Sequence, residues 1–238
     1  ASHMEARRNH HFIGSMPDGD LADPAARARA AYAPGEFLQG FVQSAFALGI
    51  DEVAVVRLSG PAFDPITVYP FARRIVFGGS SRTLYAAARL PLKAREVRCE
   101  PLPRAAHTPP DDAPGEAYEQ VLWKLALYAS RGRVPAGTPF DAPVKLRRWP
   151  NLTRLLAPPH AARIAGLWAR HPCSLAETAR LLDIPQRFVF AFYSASNALD
   201  LVSLPPARDL PVPAPPPASE KRGIFRLLLD KLTGPRKA

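Results

Sequence analysis

The segment Lys145-Leu146-Arg147-Arg148-Trp149-Pro150-Asn151 is the most pointed place in this chain at which side chains could do chemistry. Guanidinium groups make bidentate, charge-assisted hydrogen bonds to phosphate, and an indole offers a face on which a base stacks. Lys145, Arg147, Arg148 and Trp149 are therefore candidates for gripping nucleic acid or a guanine-containing nucleotide. The plainer reading is preferred: a strand edge with a solvated basic face and Trp149 in the core. Arg73-Arg74 is a second basic pair with a weaker signal.

Nucleophilic, metal and phosphate-loop chemistry find no foothold in the sequence. There is no G-x-x-x-x-G-K-[ST], no G-x-G-x-x-G after a strand, no H-E-x-x-H and no G-x-S-x-G. Gly78-Gly79-Ser80-Ser81 is a glycine-serine turn, on its own a poor phosphate cradle. His107, His160 and His171 are scattered close to prolines, and Asp111-Asp112 is a lone acidic pair. The expectation is a chain without catalytic residues, metal or cofactor.

The formal net charge of +10 and a pI near 10.1 favour an acidic partner: nucleic acid, an anionic membrane or an acidic protein. The same charge is also what an Ala-, Arg- and Pro-rich composition produces without selection for binding. With 47% hydrophobic residues the chain can bury one sizeable core or two small ones. Cys99 and Cys173 lie far apart, which fits a reducing compartment without a disulfide framework. No apolar run reaches the roughly 18–20 residues of a membrane span. Ala1-Ser2-His3-Met4 reads as a cloning scar with no signal segment after it. A cytoplasmic protein is expected.

The elements that must position any site follow from periodicity. Residues 1–34 read as a flexible arm, with a short helix possible at Ala25–Ala31. A small α/β unit is expected over 35–103. Phe37, Leu38, Phe41, Val42, Ala45 and Phe46 recur at helical steps, and Gly49 is read as ending that helix. Strands follow around Val53–Val56, Ile66–Tyr69 and Ile75–Phe77. A helix capped by Ser80 or Ser81 and a last strand at Val97–Cys99 complete the unit. Residues 104–115 read as a linker and 116–143 as a connecting helix, buried along Tyr118, Val121, Leu122, Leu125 and Tyr128. A mainly helical unit spans 144–204. The proline-rich tract 205–220 reads as an extended linker, and 221–238 as a basic amphipathic tail. The fold class is α+β.

Within the helical unit, Ser174 and Glu177 have capping-box spacing, Ala179 is small, and Pro185 suits the first turn of a following helix. The segment 161–204, about a fifth of the chain, resembles the winged-helix and helix-turn-helix family. Asp183 and Asp200 stand where that family often has glycine, and no wing is evident before Pro205-Pro206. The resemblance implies a second helix in the DNA major groove, with Gln186 and Arg187 reading bases. That helix also carries Phe188, Val189, Phe190, Phe192 and Tyr193, and a helix apolar nearly all round is buried on both sides. Phe190 is assigned to its outward face, as a residue covered by a partner.

In the tail, Phe225, Leu228, Leu229 and Leu232 fall at i, i+3, i+4 and i+7, with Ile224 beside them and Lys221, Arg222, Arg226 and Lys231 supplying charge. A basic amphipathic helix on a leash suits a partner groove or an anionic membrane surface. The leading expectation is a non-enzymatic bacterial adaptor or regulatory protein that binds another protein, such as a signalling component, through Phe190 and the tail. A DNA-binding regulator and a nucleotide second-messenger receptor are the alternatives.

Overall fold

In the computed structural model, which describes residues 12–102, 109 and 115–204, the helix Tyr118–Ser130 is the shared wall of two hydrophobic cores. Val121, Leu122 and Leu125 point into one core, and Trp123, Ala126 and Leu127 into the other. All six are at most 1% exposed. The sequence stripe identified only the first face. A helix buried on both sides has no polar face to reveal the second one. The described residues all belong to one compact unit.

On one side of this helix lies a five-stranded, wholly antiparallel sheet. Its strands are β2 (Val55–Gly60), β3 (Phe63–Tyr69), β4 (Arg74–Phe77), β5 (Arg98–Leu102) and β6 (Gly115–Ala117), in the order β5-β2-β3-β4-β6. Alternation places Val56, Leu58, Ile66, Val68, Ile75 and Phe77 on the inner face, with every one of them buried. They pack against helix α2 (Leu38–Asp51), helix α3 (Ser81–Ala88) and the shared helix, which is α4. Ser80 caps α3, its hydroxyl accepting from Thr83 N at 3.2 Å. Gly49 does not end α2, which runs on to Asp51. It is there for close approach: a Cβ would lie 2.7 Å from the Ala54 carbonyl oxygen and 2.5 Å from Pro70. Strand β6 lies at the end of the expected linker and joins the sheet edge, leading directly into α4.

On the other side, helices α5 (Ala161–Arg170), α6 (Leu175–Leu182) and α7 (Gln186–Ala198) surround an aromatic core. The Phe192 ring lies 5.9 Å from Trp123 and 5.5 Å from Trp168. The Trp168 indole N–H donates to Thr178 Oγ1 at 2.8 Å, and that hydroxyl donates to the Ser174 carbonyl at 2.8 Å. Short strands β8 (Lys145–Leu146) and β9 (Val202–Ser203) pair antiparallel and bracket the three helices. Asp183 and Asp200 both adopt left-handed backbone, φ 50° and 54°, the conformation that glycine otherwise supplies. The Ser174 hydroxyl accepts from Glu177 N at 3.2 Å, and Pro185 precedes the first turn of α7 rather than entering it.

Residues 12–34 are not a free arm. Ile13 and Leu21 are buried in the helical core. Helix α1 (Pro24–Arg29) is capped by Asp23, and β1 (Ala31–Tyr32) pairs in parallel with β7 (Val134–Pro135). The segment's few apolar residues are spaced too irregularly to give a period, so sequence reading missed their burial. Cys99 and Cys173 are both free. Among the described residues no helix is long and apolar enough to cross a membrane.

Candidate functional site

Arg148 and Trp149 leave β8 at the point where the chain turns away from β9. The backbone N–H groups of Arg147 and Arg148 both donate to the Leu201 carbonyl, at 2.7 and 3.4 Å. The following loop is pinned to α4 from two sides. Gln120 Nε2 donates to the Arg154 carbonyl at 3.1 Å, and the Trp123 indole N–H donates to the Leu156 carbonyl at 2.8 Å. Inside the loop, the Asn151 carbonyl accepts from Arg154 N and Leu155 N, and Thr153 Oγ1 donates to Asn151 Oδ1 at 2.7 Å. Leu152, Leu155 and Leu156 anchor it on the helical core. The backbone is thus fixed while the Arg148, Trp149 and Arg154 side chains face outward.

Trp149 is 57% exposed. The expectation that it belongs to the core is overturned: Pro150 takes the buried position beside it, and the indole stands on the rim of a cleft of about 490 Å³. The opposite rim comes from the sheet. Arg73 closes the β3–β4 hairpin, and the first turn of α4, from Ala117 to Gln120, forms the floor between the two rims. Arg148, Asn151 and Arg154 complete the polar lining, and Leu199 and Leu201 add apolar wall.

The charges in the cleft do not balance. Glu119 is paired with Arg73, and Asp200 with Arg147 at 2.6 Å. Among the described residues, the Arg148 and Arg154 guanidinium groups have no carboxylate partner. The positive end of α4 adds to this surplus, since its N-cap Ala117 has no side chain to cap the first-turn amides. Burial pushes the Tyr118 phenol up to about 12, with the Arg73 cation pulling the other way. Tyr118 is therefore a neutral hydroxyl at physiological pH. The arrangement is suited to hold an anion with a flat group attached, by charge, fork-shaped donors and a stacking face.

The other predicted site residues lie elsewhere. Lys145 is exposed on β8 but does not line the cleft, and Arg147 is engaged by Asp200. Gln186 is not available to read bases. Its backbone N–H donates to Asp18 Oδ1 at 2.8 Å, and its side-chain amide exchanges two hydrogen bonds with the Gly19 backbone, at 2.9 and 3.1 Å. The N-terminal segment thereby caps the helix that the resemblance placed in a groove. Arg187 folds over its neighbour Phe188, 4.8 Å from the ring centroid. Phe190 is 0% exposed and packs edge-on to Phe140 at 5.8 Å, so it is core and not a docking residue. The reason is that α7 lies between α4 and β7 and has no outward face from Val189 to Ser196. Ile224, Phe225, Leu228, Leu229 and Leu232 lie outside the described residues.

Sequence reasoning missed Tyr118, Glu119, Gln120 and Arg154 as cleft residues. Arg154 carried a signal, a cation three residues past Asn151 in a segment already rich in arginine. The α4 residues carried none, because a first turn becomes a site only when a loop packs beside it. Among the described residues no group of three or more His, Cys, Asp or Glu side chains is placed to hold a metal ion. No family model, no curated protein and no solved structure matches this chain.

Proposed function

We propose that this chain is a non-enzymatic regulatory protein that binds a guanine nucleotide in the cleft and reports its presence to a protein partner. The observation that carries the reading is the pair Arg148 and Arg154, without carboxylate partners among the described residues, beside the exposed Trp149 indole on a pinned loop. Trp149 supplies a stacking face, Arg154 supplies donors for phosphate, and Arg148, next to the indole, supplies a fork for the base edge. Guanine is favoured over other bases because its O6 and N7 both accept from one guanidinium fork.

The test is a thermal-shift panel of GTP, cyclic diguanosine monophosphate, ATP and UTP. A ligand at about 100 times its Kd stabilises the folded state by about 2.7 kcal/mol. Stabilisation by one of the two guanine ligands, and weaker stabilisation by ATP and UTP, is expected. Equal shifts with all four would reduce the reading to a general phosphate site.

The proposed output is the basic amphipathic tail, whose apolar residues repeat at helical spacing on a leash of proline. Substituting both Leu228→Asp and Leu229→Asp should abolish co-purification of a partner that the full chain recruits. Undiminished recruitment would remove the tail from the account.

A further inference from the structure

Arg73 is the third guanidinium at the cleft, and it is already held in place. Its planar group lies 5.6 Å from the Phe46 ring centroid and 5.9 Å from that of Tyr118. Phe46 and Tyr118 in turn stack on each other at 4.0 Å. The Arg73 carbonyl accepts the Tyr118 backbone N–H at 2.9 Å, tying the hairpin to the start of α4. Its backbone sits at φ 47°, in the left-handed region where an arginine is locally costly and glycine is not. The same residue lines the cleft, and a cation held at a locally costly backbone position calls for a use of that cation.

Glu119 is on the same floor, one residue into α4 from Tyr118. Its Oε1 accepts from Arg73 Nε at 2.6 Å and also contacts the adjacent Nη2. One oxygen thus receives both arms of the guanidinium fork, the arrangement a phosphate oxygen would take. The pair is not buried: the side chains are 59% and 37% exposed, so both are in contact with solvent.

We propose that Glu119 is a tethered competitor, an internal anion that occupies the Arg73 fork until a ligand phosphate displaces it. The inference rests on the reading of the cleft as a guanine-nucleotide site and assigns one residue the setting of its affinity. In the empty cleft Glu119 neutralises Arg73, leaving Arg148 and Arg154 to attract the ligand. On binding, the phosphate takes the fork and Glu119 swings out towards solvent. Its charge opposes binding twice, by holding the fork beforehand and by repelling the phosphate afterwards. Because the pair is solvent-exposed and screened, each effect is modest.

The test is calorimetric titration of the full chain and of Glu119→Gln with GTP and with cyclic diguanosine monophosphate. Glutamine keeps the length and a hydrogen bond to Arg73 but removes the charge. Binding of at least one of the two ligands should tighten roughly 2- to 5-fold, the size expected of an exposed ion pair. In an Arg73→Ala background the part of the gain that comes from freeing the fork should be lost, leaving only the smaller gain from removing the repulsion. Binding that is unchanged or weakened by Glu119→Gln would overturn the competitor role and leave the cleft reading standing. No binding of either ligand to either protein would overturn both.

Discussion

Replacing Phe192 by alanine is expected to cost about 3–5 kcal/mol of folding stability, the largest effect of any single substitution considered. Phe192 is fully buried between Trp123 of α4 and Trp168 of α5, and none of the three rings has water on any side. Truncation removes the transfer energy of the ring and leaves a cavity that two rigid indoles cannot collapse to fill. Domains of this kind are stable by only about 5–15 kcal/mol, so the variant would fold marginally. Urea unfolding followed by far-UV circular dichroism measures the change. A loss below about 1 kcal/mol would mean that the aromatic core does not hold α4, α5 and α7 together as described. The same substitution bears on function indirectly, because α4 carries the cleft floor on its first turn.

The second large effect is on ligand binding. Substituting both Arg148→Ala and Arg154→Ala should weaken guanine-nucleotide binding by roughly 100-fold or more, since hydrogen bonds to charged groups contribute about 1.5–3 kcal/mol each. Both side chains are exposed and neither belongs to a described ion pair, so stability should change by less than about 0.5 kcal/mol. The separation of the two readouts is the point of the experiment. A residue whose only role is structural lowers stability first; these two should lower affinity alone. Loss of affinity together with a collapse of the unfolding midpoint would instead assign them to the fold.

How far the sequence revealed these features depended on whether the relevant neighbours were local. The strands around Val55–Gly60, Phe63–Tyr69 and Arg74–Phe77 were legible because inner residues alternate with outer ones and turn residues separate the runs. Helix α2 was legible for the same kind of reason, and its length was misjudged because Gly49 is used for contact with Pro70 and not for a turn. Phe190 could not be placed. A helix apolar all round gives no phase, and only the packing of α4 and β7 on both sides decides that Phe190 points inward. Trp149 was assigned to the core on hydrophobicity, whereas its neighbour Pro150 fills the buried position and leaves the indole outside. The cleft itself joins Arg73 to Arg148, 75 residues apart, through a loop pinned to α4 by Gln120 and Trp123. Local pattern carries no record of such a junction.

The measurement that bears most directly on the central claim is a calorimetric titration of the full chain with GTP and with cyclic diguanosine monophosphate at physiological salt. The account predicts saturable binding of at least one of them, lost in the Arg148→Ala, Arg154→Ala variant and accompanied by a change in Trp149 fluorescence. Absence of saturable binding of both ligands up to millimolar concentration, or equal binding by the doubly substituted variant, would contradict it.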